Sequence, residues 1–372
     1  MTCIAIELAT GGKLAAQSEN QVSVVATRKL PTRSGGAWTA PQATRDIVPW
    51  VAHIAKSVGY TDADLDLEEF DVLDALWKSR GDTFDLSVES SSTVKNCMND
   101  ALRAGFAELT ISRGLLRPVR DQLREGVDHN YVGPAADGEV WAYSAQNMIG
   151  ELDRQFTTPD PNEPDGIDVE YKDRRTRRME TVKCRAPVDL GKKVEKLSAV
   201  GVTDRNRAYR LGMRRRMEQI YRRWTYGITT ELDANNSEYM SLAGASDDTP
   251  GSGQSAYLKS AYTMGSQTVL VVSEAFDWGA ITQHVVAVRR LDGTISGPYP
   301  ATRIADDQVA IPGSLDFVPD LSGKRPAPDV LFGKIHPVIV TSVDPKGLES
   351  VTLKGVNYHE SVYTYDDALA DN

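Results

Sequence analysis

Cysteine is scarce. The 372 residues contain three, Cys3, Cys97 and Cys184, an odd number with no paired spacing. Disulfide frameworks and structural zinc sites both need paired ligands, so neither is expected. The three read as small buried residues of a protein made in a reducing cytoplasm. The five histidines, His53, His129, His284, His336 and His359, stand at no metal-ligand spacing to one another or to a cysteine. Each reads as a lone surface or packed side chain, and no cofactor is expected. No apolar run approaches membrane-spanning length, and no basic-then-apolar leader opens the chain, so the expectation is a protein soluble when made and not exported by a signal peptide. A positive excess is also missing. The formal net charge of −10 disfavours a general nucleic-acid-coating role.

The usual marks of catalysis are absent as well. No Gly-x-Ser-x-Gly elbow and no cysteine placed for nucleophilic attack occurs. Asp62, Asp64 and Asp66 open like a calcium loop, but Leu67 stands where its turn needs glycine and Leu73 where it needs glutamate. They read as an acidic loop favouring a helix N-terminus. The run Gly251-Ser252-Gly253-Gln254-Ser255-Ala256 fits a loose dinucleotide pattern, yet its surroundings are β-rich, so a flexible hairpin loop is expected. Arg80-Gly81-Asp82 spells an adhesion tripeptide. It reads instead as a helix end, its glycine cap and the next turn.

What is present is concentrated between Gly201 and Ala234. Thr203 or Asp204 can cap a helix there. Tyr209, Met213, Met217, Ile220 and Trp224 recur at spacings of three or four and share one face. Arg205, Arg207, Arg210, Arg214, Arg215, Arg222 and Arg223 occupy the others, and Arg216, close to the apolar stripe, must snorkel or pair. After Trp224 the period changes to two, with Tyr226, Ile228, Thr230 and Leu232 alternating against polar neighbours. A helix thus runs into a strand without a glycine-rich turn. A second basic group, Lys172, Arg174, Arg175, Arg177 and Arg178, falls in a turn between strands at Ile167 to Lys172 and Met179 to Arg185. Both groups can be read as phosphate-contacting surfaces, or as a solvated face or salt bridges to acidic neighbouring subunits. Few aromatics interleave with them and the chain is acidic overall, which favours the second reading.

Elsewhere, strands are expected at Met1 to Leu8 and Gln21 to Leu30, and a loop from Pro31 to Pro41. Helices are expected at Thr44 to Val58, Leu65 to Arg80 and Ser92 to Gly105, with short strands following to Arg117. From Glu238, strand-like runs at Gln267 to Ser273, Gln283 to Arg290, Arg303 to Ile311, Val330 to Thr341 and Glu349 to Val356 are parted by turn signals. The fold class is therefore α+β and multidomain: terminal strands over 1–41, an α+β unit over 42–125, a second with the basic helix over 126–236, and an antiparallel β-barrel or sandwich over 237–372.

Several segments together resemble the central tail-hub, or tip attachment (host-specificity), protein J family of siphophages with lambda-like tails. Gly201, Thr203, Asp204, Arg205, Ala208 and Arg210 match its helix opening, and Thr230, Glu231 and Leu232 the strand that follows. Gln21 to Pro31, Trp77 to Phe84 and Val351 to Asp366 are similar to further family segments, in family order. The resemblance implies a virion structural component at the tail tip: a homotrimer on the tail axis, gating genome ejection, with no catalytic residues. Its implied partners are the distal tail protein, the C-terminus of the tape-measure protein, a receptor-binding fibre and transiently passing DNA. Lambda-like hubs carry a barrel before this region and fibronectin-like and receptor-binding segments after it. The expectation is that another chain supplies the barrel and pairs with Cys3 to Leu8. Arg174, Arg175, Arg177, Arg178, Arg205, Arg207, Arg210, Arg214, Arg215 and Arg222 are the expected subunit or lumen contacts. Two competing readings are a nucleic-acid-binding module using the arginine helix and a tail-associated cell-wall hydrolase.

Overall fold

The computed structural model describes residues 26–88, 91–129, 131–132, 140–248, 252–279 and 284–370. The expected strands before Ala26, including Cys3 to Leu8, lie outside the described residues. The architecture is α+β, as expected.

Helices form where periodicity and caps coincide. α1 (Ile47–Ser57) carries Pro49 in its first turn, where the missing N–H costs nothing. α2 (Leu67–Arg80) is capped by the Asp66 side chain, which accepts from the Glu69 N–H at 3.2 Å. It stops at Gly81, whose φ of 71° is the left-handed geometry that glycine adopts without strain. α3 (Val94–Arg103) is capped by Thr93 in the same way as α2. Phe70, Leu73, Trp77, Met98, Ala101 and Leu102 are buried between these helices and the hairpin Ala107–Ser112 with Leu115–Arg120. The segment from Pro31 to Pro41, expected as a loop, contains a small hairpin, Arg33–Ser34 with Ala37–Trp38. Two-residue strands are too short to show any periodicity.

Strands Ile167–Lys172 and Met179–Cys184 pair antiparallel, and Glu195–Ser198 adds on the other side in parallel. α4 (Arg205–Tyr221) packs across this three-stranded sheet and leads within two residues to strand Trp224–Thr230. Close approach is possible because Gly212 faces the sheet. A Cβ at that position would stand 2.4 Å from both Cys184 Sγ and Val169 Cγ2. Trp224, expected on the helix face, is the first residue of the strand, and Leu232 lies beyond its end.

That strand belongs to a six-stranded sheet, ordered Asp153–Phe156, Trp224–Thr230, Ser350–Asn357, His336–Lys346, Leu242–Ala245, Val140–Tyr143. The sheet draws strands from both sides of the expected boundary at 236/237. One continuous core likewise joins Ile47, Trp77 and Leu102 to Val169, Met213 and Tyr358, across the boundary at 125/126. Long-range strand pairing of this kind leaves no trace in local composition.

A seven-stranded sheet within residues 253–333 has its own core of Leu258, Leu270, Val286, Val309, Ile311, Val330 and Phe332. Its edge strands, Ile295–Pro300 and Thr302–Ala305, are separated in the chain by Ala301 alone, so the sheet curls and its two edges meet at one point of the chain. Strand Gly253–Met264 pairs with Asp329–Gly333 through its first half and with Gln267–Val272 through its second. The expected flexible loop at Gly251 to Ala256 is corrected here. Gly253 to Ala256 open a twelve-residue strand, with Ala256 and Leu258 fully buried. No helix among the described residues is long and apolar enough to cross a membrane.

Candidate functional site: the arginine helix

Asp204 caps α4, its side chain accepting from the Arg207 N–H at 3.0 Å. Tyr209, Met213 and Met217 form the buried stripe that periodicity anticipates. The arginines behave differently from a solvated face. Arg207 is 7% exposed and Arg214 5%.

Arg207 reaches into the turn after α2. Its Nε donates to Asp82 Oδ1 at 3.2 Å, Nη1 to the Thr83 carbonyl at 2.5 Å and Nη2 to the Ala104 carbonyl at 3.0 Å. Burial lowers its pKa, and Asp82 opposes that shift. Asp82 also accepts from Arg80 Nε at 3.1 Å, and Arg80 donates to Asp367 Oδ1 and the Asp366 carbonyl, both at 2.6 Å. The Arg-Gly-Asp tripeptide is therefore committed internally, as a helix end, a cap and a buried acceptor.

Arg214 and Arg222 flank a second buried knot. Arg222 Nη2 donates to Asp121 Oδ2 at 2.7 Å and to the Tyr363 hydroxyl at 2.9 Å, and that hydroxyl donates to Asp121 Oδ1 at 2.6 Å. Arg214 donates to Asp366 through Nε at 3.0 Å and through Nη2, and its guanidinium lies 4.7 Å from the Phe106 ring centre and 4.5 Å from that of Tyr363. Burial works against the Asp121 charge, but Arg222, Arg214 and the Tyr363 hydroxyl outweigh it and hold the carboxyl below the ordinary range. Arg216 pairs, as its position required, with Asp189 at 2.6 and 2.8 Å.

Arg207, Arg214 and Arg222 thus find their carboxylates in distant parts of the same chain. Arg210 donates to the Ala368 carbonyl at 3.0 Å, and Arg215 pairs with Glu195 at 3.2 Å, half exposed. Arg174, Arg175, Arg177 and Arg178 are different. All four are exposed in the turn between the first two strands of the α4 sheet, and among the described residues their side chains make no ion pair within 4.0 Å. Sequence patterning grouped all ten arginines together, and the structure divides them.

No family model matches the chain, and no curated protein does. Solved structures similar to it include a chain from the virion of a native gene transfer agent particle, at 12% identity and a TM-score of 0.44, covering 88% of this chain and 49% of that one. Another is the tail protein from Neisseria meningitidis MC58, at 11% identity and a TM-score of 0.33, covering 65% of each chain. The present chain therefore spans about half the length of the gene transfer agent chain.

The remaining motif residues also converge on α4. Thr203 Oγ1 donates to Asp85 Oδ2 at 2.7 Å, and Arg45 Nε to Asp85 Oδ1 at 2.6 Å. Gly201, at φ 69°, packs so closely on Phe84 that a Cβ would stand 2.2 Å from the ring. Ala208 is fully buried.

The three aspartates of the apparent calcium loop are occupied separately. Asp62 pairs with Lys56 at 2.7 Å, Asp64 accepts from Thr61, and Asp66 caps α2. Cys184 is buried, which pushes its thiol up to about 12 and leaves it unreactive, and Cys97 is half-buried. His129 and His359, read singly from sequence, stack with ring centres 4.4 Å apart and planes within 7°, and His129 bonds Glu360 at 2.8 Å. The two imidazoles and the Glu360 carboxylate bring one ligand atom each to within 4.8 Å of one another, a convergence that the sequence spacing does not reveal.

Proposed function

We propose that this chain is a structural component of a bacteriophage tail tip: a central hub, trimeric on the tail axis, that joins the tube to the host-attachment parts and gates genome ejection. The observation carrying the proposal is spatial. The segments that resemble the hub family, Gly201 to Arg210, Trp77 to Phe84 and Val351 to Asp366, lie far apart in sequence and have residues that meet around one helix. Chance string matches have no reason to interlock. The same network supports a scaffold over a catalyst, because the charged groups at the centre are paired and closed to solvent.

In this reading the buried arginines hold the protomer together and the exposed ones face outward. The turn bearing Arg174, Arg175, Arg177 and Arg178 is the surface offered to an acidic neighbour in the ring. Its partners are a second and third copy, the distal tail protein, the tape-measure C-terminus, a receptor-binding fibre and a chain that completes the N-terminal strands. The virion is where it acts.

The test is a native mass measurement with negative-stain images of the purified chain, alone and with its tail-tip neighbours. The expected result is three times the protomer mass of 40.7 kDa, in rings with a central bore. A monomer under every condition, binding DNA with a steep salt dependence, would replace this reading with the nucleic-acid one.

A further inference from the structure

Away from α4's buried face, a cavity of about 290 Å³ opens between the end of α4, strand Asp153–Phe156 and the start of strand His336–Lys346. Its polar lining is one-sided. Arg154, Arg223, Lys334, His129, His336 and His359 contribute to it, and no carboxylate does. Arg223 is already paired with Glu163 at 2.6 and 2.9 Å. Neither Arg154 nor Lys334 makes an ion pair among the described residues.

The basic groups are also held in place. The Arg154 guanidinium lies over the Trp224 ring, 3.8 Å from its centre, with Tyr226 on the same wall at 5.9 Å. That stacking fixes the guanidinium plane, with one hydrogen bond going to the Tyr226 hydroxyl and Nε left without a partner. Two polar atoms have no partner: Arg154 Nε, and Nε2 of His336, a residue only 3% exposed. Unpartnered buried polar groups carry the full cost of desolvation, and sites that retain them are commonly completed by a ligand. Burial keeps His336 neutral, with its pKa lowered to about 4. Arg154 and Lys334 push in the same direction, and Asp247, which does not line the cavity, opposes them.

We propose that this cavity binds a small oxyanion, a phosphate or carboxylate group, held between Arg154 and Lys334 with His336 beneath it. The inference is independent of the tail-tip reading. In a chain of net charge −10, a pocket lined by Arg154, Arg223 and Lys334 and by no carboxylate is a local exception. Its size admits a ligand with few atoms beyond the anionic group.

The test uses the full chain. Inorganic phosphate and citrate are titrated calorimetrically at constant ionic strength, with chloride as control, while histidine Cε1–H resonances are followed by NMR. The expected result is saturable binding of at least one anion that moves the His336 resonance. Lys334→Gln should weaken it about ten-fold, as loss of a charge-assisted contact does. Arg154→Gln should do the same. If that variant fails to fold, Lys334→Gln decides alone, because Lys334 holds no internal ion pair. Preference for phosphate or for citrate identifies which chemistry the site serves. Failure of both anions to exceed the chloride response, or wild-type affinity in Lys334→Gln, overturns the proposal.

Discussion

Arg214 and Asp366 stand 152 residues apart in sequence and close on each other in the interior, Nε donating to Oδ1 at 3.0 Å, with each side chain at most 12% exposed. Removing one partner strands the other charge in a medium that solvates it poorly. Arg214→Met is therefore expected to cost about 3–5 kcal/mol. The double change Arg214→Met with Asp366→Leu should recover part of that loss, because the desolvation of the pair disappears with it. Urea denaturation of the three proteins measures both effects. A single variant within about 1 kcal/mol of wild type would show the pair to be dispensable.

Gly212 sets the distance between α4 and its sheet. Alanine is the better helix former by about 1 kcal/mol. Here its methyl group would collide with Cys184 and Val169 at 2.4 Å, and overpacking of that kind costs about 1–3 kcal/mol. Gly212→Ala should lower the melting temperature despite its favourable propensity. A rise would mean that the helix can slide outward without loss.

His336 makes stability depend on pH. Its folded pKa is lowered from 6.5 to about 4, so below 6.5 the unfolded chain takes up a proton that the folded chain refuses. The stabilisation is complete above pH 6.5 and is lost as pH falls toward 4, by up to about 3 kcal/mol. Asp329 acts oppositely in nearly the same window. Burial raises its pKa to about 6, so its contribution is largest at low pH and declines as pH rises from about 4 to 6. Because the two contributions nearly cancel between pH 4 and 6, stability relative to wild type, measured by denaturation, should fall as pH rises through that window in His336→Gln and should rise with pH in Asp329→Asn. Parallel curves for all three proteins would refute both assignments.

The exposed turn should respond in the reverse manner to the buried arginines. Reversing Arg174, Arg175 and Arg178 to glutamate removes no ion pair inside the protomer and is expected to change stability by about 0.5 kcal/mol or less. Arg177 is left intact because its φ of 57° already strains any side chain there. Association between copies should fall sharply, measured as the fraction of assembled material by sedimentation. Unchanged assembly at low salt would remove this turn from the proposed interface.

Much of this was legible in sequence. The change of period at Trp224, the capping of α2 and α4 and the strands bounding the basic turn all follow from local chemistry. Gly253 to Met264 was obscured because glycine and serine at its start signal a turn, although Gly253 serves close packing: a Cβ there would stand 2.9 Å from the Asp247 carbonyl oxygen. The fate of the arginines was hidden for a different reason. Helical spacing shows which arginines share a face but not that Asp82, Asp121 and Asp366 arrive from elsewhere to meet them. The pairing of His129 with His359 was hidden in the same way, since residues so distant along the chain carry no local trace of their contact.

The last described residues are tied to α4: Arg80 holds Asp366 and Asp367, Arg210 holds the Ala368 carbonyl, and the Ala370 N–H donates to Asn206 at 3.0 Å. A ribosome making this chain finishes the helix long before it makes those ties. Until residue 370 has emerged, Arg214 has no Asp366 and Arg222 no Tyr363, so the nascent helix carries unanswered charge. Closure of these ties is therefore a late step, and a polypeptide cut short near 357 is expected to reach the cell as a substrate for chaperones and proteases instead of a smaller working part.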